Sequence, residues 1–160
     1  MSQTSYSINQ AAAFAGMLGS DFEPRSVQSF AAQEVIGFGK FVAKGSSDGK
    51  CKLPAASTDV TTGVGLGVAM SSQAMPSDSS ASASYETQDE VSVLQMGPVW
   101  VQVEDSVVLG GDVYVRHAAG GLGVGSFAGA AGAGLALLPG AKFMSAASAN
   151  GLALVQLSLR

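Results

Sequence analysis

The chain has 160 residues, 47% of them apolar and only 12% charged, with a net charge of −4. That length suits one domain with a real core, and eight Lys and Arg spread along it cannot form the basic stripe that phosphate neutralisation needs, which argues against nucleic acid as a partner. No run reaches the roughly 18 apolar residues of a membrane span, and the polar start, Met1 to Gln10, lacks the basic region of a signal peptide, so the expectation is folding in a reducing cytoplasm.

Residues 1–24 stand apart as an N-terminal arm. Ser7 and Gln10 have capping-box spacing, and Ala11, Phe14, Ala15, Leu18 and Phe22 follow at helical spacing, with Met17 widening the stripe. Gly19 and Pro24 supply stops. The segment predicts one short helix or an extended arm with apolar hooks, packed on its own domain or on a neighbouring subunit, because a helix this short is marginal alone.

Beyond it, residues 25–160 predict a single β domain. Val35, Ile36, Phe38, Phe41 and Val42 mark the first strands, Gly45 to Gly49 a turn, and Lys50 to Leu53 the returning strand. Val64, Leu66 and Val68 alternate with Gly63, Gly65 and Gly67, a strand whose bare face admits another backbone closely. Residues 71–84 predict a polar loop. Val91 and Val93 form a strand that Gly97-Pro98 punctuates, and Val99, Val101 and Val103 then point one way while Trp100, Gln102 and Glu104 point the other. After a turn at 108–112 come Val113 to Arg116, a second low-complexity loop at 118–134, and a clean alternating strand from Leu152 to Leu159. Many short strands without a long helical pattern indicate a sandwich or barrel.

Little of this looks like catalysis. His117 is the one histidine, and no nucleophile or carboxylate stands in a recognisable relation to it. Gly63-x-Gly65-x-Gly67 lacks the dinucleotide spacing, and no Lys-Ser or Lys-Thr follows it. Asp89-Glu90 and Glu104-Asp105 read as solvated turn charges. Cys51 lies between Lys50 and Lys52, which would lower its pKa somewhat, although a half-buried strand cysteine is the plainer expectation. No cofactor and no metal site are expected. The low share of charge instead suggests a surface covered by protein. Ile8, Phe14, Met17, Leu18 and Phe22 on the arm, with Trp100 and Tyr114 on an outer strand face, are the candidate contacts.

Four stretches together resemble the structural cement proteins that decorate tailed-phage capsids: SINQAAAFAGMLGSD, SFAAQEVIGFGKFVAKGSSDGKCKLP, VSVLQMGPVWVQVEDSVVLGGDVYVRH and LLPGAKFMSAASANGLALVQLSL. The resemblance implies an all-β, jelly-roll-like sandwich or barrel without catalytic residues. It also implies a place on the outer capsid surface of the virion, bridging subunits of the major capsid protein, and association with itself as a dimer or trimer. A carbohydrate- or receptor-binding module using Trp100, Tyr114 and the long loops is the alternative, and a cupin-like enzyme would need more histidines than the one present.

Overall fold

The computed structural model describes residues 13–20, 24–72 and 84–159. Its elements are β1 (Ser26–Ala32), β2 (Ile36–Gly37), β3 (Phe41–Lys44), β4 (Lys50–Lys52), the short helix α1 (Ser57–Thr61) and β5 (Gly65–Ala69). They continue with β6 (Ser84–Tyr85), β7 (Glu90–Gln102), β8 (Asp112–Arg116), β9 (Phe127–Ala128), β10 (Leu135–Phe143) and β11 (Leu152–Ser158). The all-β sandwich or barrel class expected from the sequence is the class observed.

One strand organises everything. β1, β4, β3, β5 and β7 pair in that order, and β1 returns to β7, so these five close into a barrel. β7 then runs on to pair β11, and β11, β10, β8 and β9 build a second lobe. Gly97-Pro98, expected to interrupt the strand, lies inside β7 instead, just past Met96, where its pairing passes from β1 to β11. Proline is tolerated there because the adjoining carbonyl, not an N–H, is what the neighbouring segment uses.

Two cores result. Ala32, Val42, Cys51, Ala69, Val91 and Val93 fill the barrel together with Ile36 and Tyr85. Phe38 stacks edge-on against Tyr85 at 5.1 Å, and the Tyr85 hydroxyl donates to the Met70 carbonyl at 2.8 Å. The larger core takes Val99, Val101 and Val103 from β7, Val113 and Val115 from β8, Val155 and Leu157 from β11, and Phe127 and Phe143. The alternation read from 99–103 therefore holds in space. So does the bare face of 63–67: Gly67 sits at φ +147, and a Cβ there would collide with the Leu94 carbonyl of β7.

One open alternative is decided and one expectation needs correction. Of the short helix and the extended arm, residues 13–20 take the extended form, a strap along β7 with Leu18 bridged to Val99. Helical spacing failed here because β7 offers the strap's main chain partners that a helix would otherwise have to supply internally. Gly19 is not a helix stop either, since its missing side chain makes room for Leu154 and Pro98. Ser7, Ile8, Gln10, Ala11 and Phe22 lie outside the described residues. The segment 118–134, expected as a loop, contains β9, and Ser126, Phe127 and Ala128 within it are buried.

Candidate interaction surfaces

The strap fixes the first expected residues. Gly16 donates to the Trp100 carbonyl at 2.8 Å, Trp100 donates back to Met17 at 2.9 Å, and Gly19 donates to Pro98 at 2.9 Å. On its other side Gly16 accepts from Ser71, just beyond β5, at 2.9 Å. The strap thus fastens the barrel to the second lobe. Leu18 points into the larger core and is partly buried there, Met17 is half-buried, and Phe14 stands 54% exposed.

Strand register carries the pattern across the outer face of the second lobe. Trp100 lies opposite Leu154 on β11. Phe143 lies opposite Val155 and Met144 donates to the Leu154 carbonyl, so Met144 follows Leu154 in the same row. Gly110 donates to Phe143 at 2.7 Å, which seats the turn carrying Val108 and Leu109 at the end of that row. Met17, Trp100, Leu154, Met144 and Leu109 therefore form one apolar row over five neighbouring chain segments. Val108 and Leu109 are each 67% exposed and Met144 is 48% exposed. The turn is held firmly, with Gly111 donating to Val108 and Val107 exchanging hydrogen bonds with Ala147. Residues 106–111 and 144–151, which form this end of the lobe, contain no charged side chain.

Sequence reasoning found Met17 and Trp100 but missed Leu154, Met144 and Leu109. The outward positions of the last strand were the available signal; the pairing of β11 between β7 and β10 was not. Tyr114 does not join the row. It is half-buried opposite Leu137 on β10, seven positions before Met144 and three strands from Trp100.

The carboxylates also depart from expectation. Glu104 is no solvated turn charge. Arg116 grips it with two donors, Nε to Oε1 at 2.7 Å and Nη2 to Oε2 at 2.6 Å. Leu122 N–H donates to Oε1 at 3.0 Å and the Ser126 hydroxyl donates to the same oxygen. These bonds, the Arg116 grip first, hold the Glu104 carboxyl below its ordinary pKa against the opposing effect of burial. Asp105 accepts from Gly129 N–H at 2.6 Å, and Lys40 reaches under the same segment to the Leu122 carbonyl at 2.8 Å. Burial lowers the Lys40 pKa, with Glu104 opposing that shift. These groups are structural anchors for residues 118–134.

Cys51 is fully buried. Burial, reinforced by Glu34, pushes its thiol up to about 11, so the flanking lysines do not activate it; Lys50 is exposed and Lys52 pairs with Asp59 at 3.5 Å. His117 borders a shallow groove of about 320 Å³ with Glu34, Leu53, Pro54 and Val124. Among the described residues no group of three His, Cys, Asp or Glu converges as metal ligands, and no helix is long and apolar enough to cross a membrane.

A two-lobed β protein whose polar clusters anchor its own loops, and whose outer face carries an apolar row, belongs to the class of structural, protein-binding modules. The family described as structural cement protein (E217 gp24/Pam3 gp6) matches residues 2–158. The chain belongs to that family, and its role is that of a phage structural cement protein. Among solved structures, a chain from one titled "The capsid of Myoviridae Phage XM1" is similar over 98% of this chain and 96% of its own, with a TM-score of 0.73 and 19% identity. Comparison with curated proteins gives no match.

Proposed function

We propose that the protein sits on the outer surface of a tailed-phage shell in the virion, bridges neighbouring major capsid protein subunits, and docks through the row Met17, Trp100, Leu154, Met144 and Leu109. In this reading it is not an enzyme, uses no cofactor, binds neither nucleic acid nor membrane, and associates with its own copies. The observation that carries the docking face is the row itself. Its most exposed members, Leu109 and Met144, stand on the segments 106–111 and 144–151, which carry no charged side chain, so the row itself brings no ion into the contact. Each apolar side chain moved fully out of water contributes roughly 1.5–3 kcal/mol before association costs, and repetition over a lattice multiplies modest contacts through effective concentration. The similarity to a chain from a structure titled a capsid supports the setting.

The test is add-back of purified protein to shells assembled without it, followed by co-sedimentation and cryo-EM of the particles. Leu109→Asp with Met144→Asp changes two exposed positions and should abolish co-sedimentation while leaving the circular dichroism spectrum unchanged. Full decoration by that variant would remove the row from the account. Deleting residues 1–12, which spares the strap, asks separately whether the start of the arm contributes. Tyr114 and Phe14 are secondary candidates, and alanine at each belongs in the same assay. Saccharide binding by Trp100 and Tyr114 together has no geometric support, because the two do not share a surface row.

A further inference from the structure

We infer that the groove between the two lobes, lined by Glu34 and His117, receives a basic side chain, an arginine by preference, from a subunit of the shell. This rests on the shell-docking reading and names the chemistry of a second contact. A protein that bridges subunits needs two contact surfaces, and the apolar row supplies one. The groove lies at the opposite end of β8 from the turn that carries Val108 and Leu109. β8 has five residues, about 16 Å at the usual strand rise, so the two surfaces stand apart on the molecule.

Both walls of the groove are held in place. On the barrel side Gln33 N–H donates to the Cys51 carbonyl at 2.9 Å, and Leu53 N–H donates to Glu34 Oε1 at 2.9 Å. On the other side His117 N–H donates to the Gly134 carbonyl at 2.8 Å. The segment that follows is tied back to the barrel, by Phe41 N–H on the Gly125 carbonyl at 2.8 Å and by Lys40 on the Leu122 carbonyl. The groove, about 320 Å³, is therefore formed before a partner arrives, and binding there has little ordering cost.

Charge selects the occupant. Leu53, Pro54 and Val124 give the groove apolar walls, and Glu34 is the only Asp, Glu, Lys or Arg that lines it. The Leu53 bond takes one carboxylate oxygen. Among the described residues no group donates to Oε2 and no Lys or Arg pairs with Glu34; Lys52, close by in sequence, is engaged by Asp59. The His117 imidazole likewise makes no hydrogen bond within the chain. A fixed anion between apolar walls is complementary to a long aliphatic stem that ends in a positive charge. Arginine matches both features, since its fork donates to Oε2 and its planar group lies against the imidazole face. An acidic side chain would be repelled there. A wholly apolar one would strip water from Glu34 without replacing the lost hydrogen bonds.

Co-sedimentation of the full chain with shells assembled without it, over a concentration series, tests the partner. Glu34→Gln keeps an acceptor for Leu53 N–H but no charge, and should weaken shell binding roughly tenfold with an unchanged circular dichroism spectrum. Ala118→Trp fills the groove without altering charge and should weaken binding at least as much. A second measurement needs no shells: NMR titration with N-acetyl-arginine amide, with its neutral isostere N-acetyl-citrulline amide as control. The arginine probe should shift the backbone amides of Leu53, His117 and Val124 in wild type and leave them in place in Glu34→Gln, and the citrulline probe should shift none. A Leu109→Asp, Met144→Asp variant should still take the arginine probe, which separates the groove from the row. Absence of these shifts, or an equal response to both probes, overturns the inference. Full shell affinity in both groove variants also overturns it and leaves the shell-docking reading standing. A wild type that takes the arginine probe but ignores shells overturns that reading, and the partner named here with it.

Discussion

The barrel closes on a long ladder, β1 against β7, continuous from Val27 to Ala31 beyond a register shift at Ser26/Val27, and the closure involves no charged side chain on β1. The second lobe closes differently. Its last strand, β9, has two residues, and it meets the other end of the sheet through the bridge between Val103 and Phe127 and the bond from Glu104 N–H to the Phe127 carbonyl. There the Arg116–Glu104 pair, the Ser126 hydroxyl and Leu122 N–H gather. A long ladder distributes closure over many main-chain bonds. A short one needs side chains to hold the joint: Phe127 from the apolar side and Glu104 from the polar side.

Removing the apolar half of the joint should have the largest effect. Phe127 is fully buried in the larger core, so Phe127→Ala is expected to cost about 3–5 kcal/mol in denaturant unfolding. Loss should appear first as increased hydrogen exchange over 118–134. Were this segment only a surface loop, the variant would unfold at the wild-type midpoint.

The polar half comes next. The side chains of Arg116 and Glu104 are 13% and 10% exposed, and truncating one partner strands the other. Arg116→Ala should therefore cost about 2–4 kcal/mol, somewhat below the range for a fully buried pair because the site retains some solvent. The pH dependence follows from the same bonds. Glu104 has a folded-state pKa below its unfolded value of about 4.3, so its contribution is complete at neutral pH and is lost as pH falls through the depressed folded value. Wild type should lose this increment on acidification below pH of about 4, and Glu104→Gln should flatten that part of the stability profile. An unchanged acid limb in Glu104→Gln would place the acid sensitivity elsewhere.

A smaller effect is expected at the strap, which joins the two halves. Leu18 is only partly buried against the larger core, so Leu18→Ala should cost about 1–2 kcal/mol by thermal unfolding. Gln33–Ser46 bonding belongs neither to the strap nor to the larger core that Leu18 packs against, and offers a control region for hydrogen exchange. The strap holds mainly through main-chain bonds to Trp100 and Pro98, which the substitution leaves in place.

Which of these features could be read in the sequence follows from how local their causes are. Alternating valines at 99–103 and the glycines at 63–67 specify a face each, and both faces were legible because strand periodicity needs no partner to be recognised. For the strap the sequence left helix and extended arm both open, because Phe14, Ala15 and Leu18 satisfy helical spacing, while the partners that make it extended, Trp100 and Pro98, lie some eighty residues away. Glu104 looked solvated for a similar reason: Arg116, Leu122 and Ser126 reach it only after the chain has turned back. Phe127 did carry a signal, a lone large apolar residue among small ones, but glycine content outweighed it. Of the apolar row, Met17 and Trp100 were visible and the rest depended on strand order.

The last contrast sets the Arg116–Glu104 pair against the other short ion pair of the lobe. Lys142 Nζ lies 2.5 Å from Asp112 Oδ1, closer than many structural bridges, yet the two side chains are 58% and 54% exposed. Water screens them whether or not they touch, and holding two long side chains together has an entropic cost, so distance alone does not set their worth. Lys142→Ala should change stability by no more than about 0.5 kcal/mol, and that change should vanish in high salt. Arg116→Ala, by contrast, should keep most of its effect in salt, because its partner would remain among buried groups. Equal salt sensitivity of the two variants would mean that the Glu104 site is open to solvent, and the joint of the second lobe would then rest on Phe127 alone.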